Sequence, residues 1–170
     1  MWFSKLRRRR PAAVELMPLP PPLEAAPGVW RVFLEQVVAL WSAKSWDRQA
    51  AERRFVSLVL MLQQHWGVPF PYEMGAYLQD IPVYGDALIP QEVLADDYIV
   101  RLRVSMIGNL ATVFVWDGAV KPEALVTIIA AAEMWRYIYV PSAALEQLYT
   151  GPGAGRQEER TWSRALFDFY

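Results

Sequence analysis

Residues 98–117 read YIVRLRVSMIGNLATVFVWD, and the Gly108-Asn109 pair in their middle decides the fold. Two strand-like runs flank a two-residue turn of the kind that closes β-hairpins. Asn109 is the only asparagine in the chain, which makes its place at the turn informative. Pairing Ile107 with Leu110 sets the register by counting outward. Val100, Leu102, Val104 and Met106 then share an apolar face with Ala111, Val113 and Val115, which suits a core. The other face holds Arg101, Arg103 and Ser105 against Thr112, Phe114 and Trp116, with Arg103 across from Phe114 and Arg101 across from Trp116. Such Arg–aromatic pairs contribute about 0.5–1 kcal/mol each at exposed sites. The second face is therefore either a displayed patch of Arg101, Arg103, Phe114 and Trp116 or a surface covered by a helix.

Upstream of the hairpin, two helices are expected. Trp30, Phe33, Leu34, Val37, Val38 and Trp41 recur at helical spacing behind Pro27-Gly28. A second stripe runs through Ala51, Phe55, Leu58, Val59, Leu62 and Trp66. Ser45 is its expected N-cap, and Gly67 with Pro69 ends it. Arg48, Arg53 and Arg54 lie near its start, the wrong end for the helix dipole, so they are expected to answer a negative charge, the candidate being the acidic segment that follows. Between Val68 and Ala95, Pro69, Pro71, Gly75, Pro82, Gly85 and Pro90 leave room for one short helix, around Tyr72 to Gln79. A loop of this length inside a compact domain is more often functional than decorative.

Downstream, Pro122 opens a helix reaching Trp135, Tyr137 to Val140 reads as a short third strand, and Ser142 to Tyr149 as a short helix. Gly151 to Gly155 is a loop, and Trp162, Leu166, Phe167 and Phe169 mark an amphipathic end. The expected fold class is α+β, a small and largely antiparallel sheet built on a central β-hairpin and packed against several α-helices. Residues 1–28 read as a flexible basic, proline-rich tail and 29–170 as a single globular domain.

Charge is segregated along this order. No lysine or arginine occurs from Phe55 to Val100, while Glu73, Asp80, Asp86, Glu92, Asp96 and Asp97 do. Trp66, Phe70, Tyr72, Tyr77, Tyr84 and Tyr98 are interleaved with them. The first ten residues carry five positive charges and no negative one, so the rest sums to -6 against -1 for the whole. A one-signed, aromatic-bearing segment attracts a basic partner and offers rigid contact area on arrival. The plainer reading is a solvated loop whose tyrosines pack on the core.

Few kinds of chemistry fit. The chain has no cysteine and one histidine, His65, which leaves neither a disulfide framework nor a zinc site, and no Gly-x-Ser-x-Gly elbow presents a serine. Asp96 and Asp97 on a strand point to opposite faces, and the Asp80–Asp86 spacing matches no calcium loop. The glycines at 151–155 lack the Gly-Lys-Ser/Thr ending of a phosphate loop. The acidic body and unclustered arginines argue against DNA recognition. No run reaches the roughly 18 apolar residues of a membrane span, and a proline-rich stretch follows the N-terminal charges where a secretory signal needs an apolar run. The expectation is a cytoplasmic, non-enzymatic protein with no cofactor or metal, no nucleic-acid partner and no stable membrane insertion.

The C-terminal third carries a resemblance. Tyr137-Ile-Tyr-Val-Pro141, Leu145 to Gly151, Thr161-Trp162-Ser-Arg164 and the ending Leu166 to Tyr170 resemble a pattern in bacterial immunity proteins, the small partners of polymorphic and type VI secretion toxins. The resemblance implies function by occlusion of a secreted toxin. Acidic side chains can mimic the phosphates held in a toxin's basic cleft. The partner-binding candidates are then Tyr72, Tyr77 and Tyr84 as anchors, Asp80, Asp86, Asp96 and Asp97 as charge, and Arg101, Arg103, Phe114 and Trp116 as a second patch. A non-catalytic adaptor or effector chaperone of a secretion system is the alternative, and a carboxylate-dependent metal hydrolase the second alternative.

Overall fold

A computed structural model describes residues 18–41, 47–74, 85–105, 109–114, 119–147, 150 and 161–167. Helix α1 spans Pro27–Trp41 and α2 spans Arg48–Trp66. Strands β1 (Tyr72–Met74) and β2 (Gly85–Leu88) follow, then a 3-10 turn at Gln91–Val93. The hairpin is β3 (Arg101–Ser105) and β4 (Leu110–Phe114). Helix α3 (Pro122–Met134), strand β5 (Ile138–Tyr139) and two short helices, α4 (Ser142–Leu145) and α5 (Trp162–Leu166), complete the chain. The sheet order is β1-β2-β3-β4-β5, antiparallel throughout except for the β4–β5 pair, so the protein is α+β with its hairpin central.

The hairpin's faces are those expected, but its register is shifted by two residues. Ser105 lies opposite Leu110, so residues 106–109 connect the strands where Gly108 and Asn109 alone were expected to. Arg103 is accordingly across from Thr112, and Arg101 across from Phe114. A slip of two leaves every side chain on its original face because the strand period is two. The wider connection is tied down from outside the hairpin. The Asn109 carbonyl accepts from the Ile138 amide at 2.8 Å, and its side-chain oxygen accepts from Arg54. Asn109 holds φ at 53°, in the left-handed region where a side chain costs energy. Asn109→Ala is expected to lose about 2 kcal/mol in urea denaturation, from the strained β-carbon and the lost Arg54 bond, and Asn109→Gly only about half of it. Equal losses from both would remove the backbone part of this account.

Alternation divides the sheet into two faces. Gly85, Ala87, Leu102, Val104, Ala111 and Val113 point toward α2 and α3, where Phe55, Leu58, Leu62, Ile128 and Ala132 join them in the larger core cluster. Leu110 points the other way, into a second cluster with Trp30, Phe33, Leu34 and Val37 of α1, Leu145, Trp162 and Phe167. Of the apolar stripes read from the sequence, Trp30 to Val37 and Ala51 to Leu62 supply the buried residues, and Val38 and Trp66 are partly buried. Asp47 caps α2, accepting from the Ala50 amide at 3.0 Å, in the role expected of Ser45, which lies outside the described residues. Gly67 closes the helix at φ 68°, its amide bonded to the Gln63 carbonyl.

The stretch after α2 departs from expectation. Tyr72 to Met74, where a short helix was expected to begin, is a strand paired with β2, and Gly85–Leu88 adds β2 to the hairpin. Pairing across the sheet supplies the hydrogen bonds that the turn-rich sequence cannot supply locally. Of the residues read as tail, Pro20, Pro22 and Leu23 line a cavity with Trp30, Tyr137 and Ile138, while Leu19 is 92% exposed. Among the described residues no helix is long and apolar enough to cross a membrane.

Candidate functional site

The polar face of β1–β3 is organised by one buried acid. Asp86 is 1% exposed, and its neighbours across the sheet are Glu73 on one side and Arg103 on the other. Arg103 Nε donates to Asp86 Oδ2 at 2.9 Å, and Arg101 Nη1 lies 3.3 Å from Oδ1. Arg101 also reaches Glu73 at 3.4 Å. The Arg103 guanidinium sits 4.0 Å above the Phe114 ring, although Phe114 is not its cross-strand partner. Two cations and two anions cancel in charge across this patch, although Asp86 Oδ1 is buried, accepts no hydrogen bond and is met only by the charge of Arg101. The expectation that Asp86 presents its charge outward is corrected: the carboxylate is consumed in holding two arginines flat against the sheet.

A different surface displays acid and apolar groups. Residues 95–99 are exposed in an unbroken run, with Tyr98 half-exposed and Ile99 72% exposed. Asp96 and Asp97 lie on bends of a loop, not on a strand, so both face solvent and are not split between two faces. This ridge stands on an anchored base. Val93 and Leu94 on one side and Val100 on the other are buried in the larger cluster. The Ala95 amide donates to the Ala119 carbonyl, the Lys121 amide to Val93, and Leu94 bridges Val120. Gln91 Nε2 donates to the Asp96 carbonyl at 3.0 Å and to Asp97 Oδ1 at 2.9 Å. Lys121 Nζ donates to the Glu92 carbonyl, leaving the Glu92 side chain exposed on the same loop. The loop is ordered before any partner arrives, which lowers the entropy lost on docking.

The remaining predicted residues divide. Tyr72 is 44% exposed and rests edge-on against Phe55, ring centroids 5.9 Å apart, at the far edge of the sheet. Phe70 and Trp66 stack on each other, with Phe70 buried. Tyr77, Asp80, Tyr84 and Trp116 lie outside the described residues. The structure therefore brings Asp86, Arg101, Arg103 and Phe114 together and sets Asp96 and Asp97 apart from them, beside Tyr98 and Ile99. Ile99 was missed as a site residue; its signal was an apolar side chain on the polar side of the β3 alternation, immediately before Val100.

Arg54, expected to answer the acidic segment, turns instead to Asn109 and to Tyr137, whose ring lies 5.8 Å from its guanidinium. Burial pushes the Tyr137 phenol well above its ordinary range, against the opposing pull of Arg54, so the ring is neutral and does not neutralise the arginine. His65 is exposed in the last turn of α2, edge-on to Trp66. Among the described residues no group of three or more histidines or carboxylates is arranged to hold a metal. No protein-family model, curated protein or solved structure matches this chain.

Proposed function

We propose that this chain is an immunity protein, which acts in the cytoplasm by binding and occluding a cognate secreted toxin and does no chemistry of its own. The observation that carries the reading is the ridge of Asp96, Asp97, Tyr98 and Ile99, displayed on a loop whose two ends are buried. Carboxylates at its crest steer a basic partner and pair with its cations, while the adjoining Tyr98 and Ile99 supply area to desolvate on contact. The exposed Glu92 carboxylate strengthens the same field. The Asp86 network fits a supporting role, fixing the sheet from which the ridge extends.

The test is co-expression with a candidate toxin, taken as the C-terminal domain of any large secreted protein that proves to be encoded beside this chain's gene. Co-expression of the wild-type chain should restore growth, and the purified pair should bind. The variant combining Asp96→Lys and Asp97→Lys should bind at least tenfold more weakly, mostly through slower association and with a weakened salt dependence. Ile99→Asp should weaken binding mainly through faster dissociation. Full neutralisation by both variants would remove the ridge from the interface. Binding without growth rescue would favour an adaptor or effector chaperone, which uses the same surface without inhibiting its client.

A further inference from the structure

The structure assigns a second, oppositely charged site. A cavity of about 420 Å³ opens between the first half of α2 and the C-terminal end of α3, lined by Arg53, Arg54, Ser57, Met134, Trp135 and Arg136. Its described lining holds three guanidinium groups and no carboxylate. Arg54 spends one N–H on Asn109 and keeps others, while Arg53 and Arg136 are exposed and form no ion pair with any described residue. Arg53 and Arg54 are the sixth and seventh residues of α2, and Arg136 follows the C-terminal end of α3. Three cations gathered around one groove, with the adjacent phenol neutral, leave a local positive potential that an anion would relieve.

The other wall is apolar. Met134 is 70% exposed there, and Trp135 is half-buried beside it. The space, about 420 Å³ and largely open to solvent, is several times larger than an inorganic anion needs. We infer that the cavity binds a phosphate-bearing small molecule with a flat apolar body, the chemistry of a nucleoside monophosphate. Guanidinium groups take the phosphate, for which their forked donors are suited, and Met134 and Trp135 take the body. Ser57 adds a hydroxyl able to donate or accept.

Arg136 makes the site separable from folding. It holds φ at 61°, a conformation that favours glycine, so Arg136→Gly removes a guanidinium while relaxing the backbone. The experiment titrates the full chain with adenosine 5'-monophosphate by calorimetry at low salt, with inorganic phosphate as the second probe. The expected result is submillimolar binding of the nucleotide, at least tenfold weaker in both Arg53→Gln and Arg136→Gly, with melting temperatures at or above wild type for Arg136→Gly. Inorganic phosphate should bind at least tenfold more weakly than the nucleotide. No nucleotide binding, or binding unaltered in both variants, would overturn the assignment; phosphate binding as tightly as nucleotide would overturn the apolar half. The site is independent of the acidic ridge, so neither result bears on toxin binding.

Discussion

Asp86→Ala is expected to lower folding stability by about 3 kcal/mol in urea denaturation. The carboxylate is 1% exposed and is the shared partner of Arg101 and Arg103. Removing one member of a buried ion cluster leaves its partners desolvated and uncompensated, at about 3–5 kcal/mol for fully buried pairs. The lower end applies because the Arg101 side chain is 35% exposed and keeps Glu73, and Arg103, 13% exposed, keeps its contact with the Phe114 ring. Asp86→Leu combined with Arg103→Met should recover more than half of the loss, since an apolar pair replaces the most buried ions and Arg101 keeps Glu73 and solvent. A loss below about 1 kcal/mol for the single variant would mean that the cluster is solvated and the arginines need no clamp.

Gly85→Ala should cost about 2 kcal/mol, although it adds only a methyl group. A β-carbon at this position would lie 2.5 Å from the Phe55 ring, and Phe55 is fully buried. Overpacking of this kind costs about 1–3 kcal/mol because neither ring nor strand can withdraw freely. Phe55 is pinned further by the Tyr72 ring at its edge. Phe55→Leu in the alanine background should restore about 1 kcal/mol, while in the wild-type background it destabilises. Additive losses in that cycle would show that α2 does not press on β2 at this point.

The readable part of this fold lay where pattern and place coincide. Leu102, Val104, Ala111 and Val113 form one face under any even register, so the core face survived an error of two residues in the turn. The turn itself was misjudged because Asn109 answers to Arg54 and Ile138, which are distant in sequence. Strands β1 and β2 were invisible for a related reason: three and four residues long, set among prolines and glycines, they exist through pairing with each other and, for β2, with β3. The acidic segment was legible as composition but not as geometry. Nothing local distinguishes Asp86, which the strand alternation turns toward Arg101 and Arg103, from Asp96 and Asp97, which sit on a loop beyond the ladder.

The cluster formed by α1 has a consequence for the chain during its synthesis. Trp30, Phe33, Leu34 and Val37 find their cover in Leu145, Trp162 and Phe167, more than a hundred residues later. The meander can assemble strand by strand as it leaves the ribosome, since each strand pairs with its predecessor. The first helix cannot, and its apolar stripe, met first by Leu110 and Val140, stays partly open to chaperones and to neighbouring nascent chains until Trp162 and Phe167 emerge.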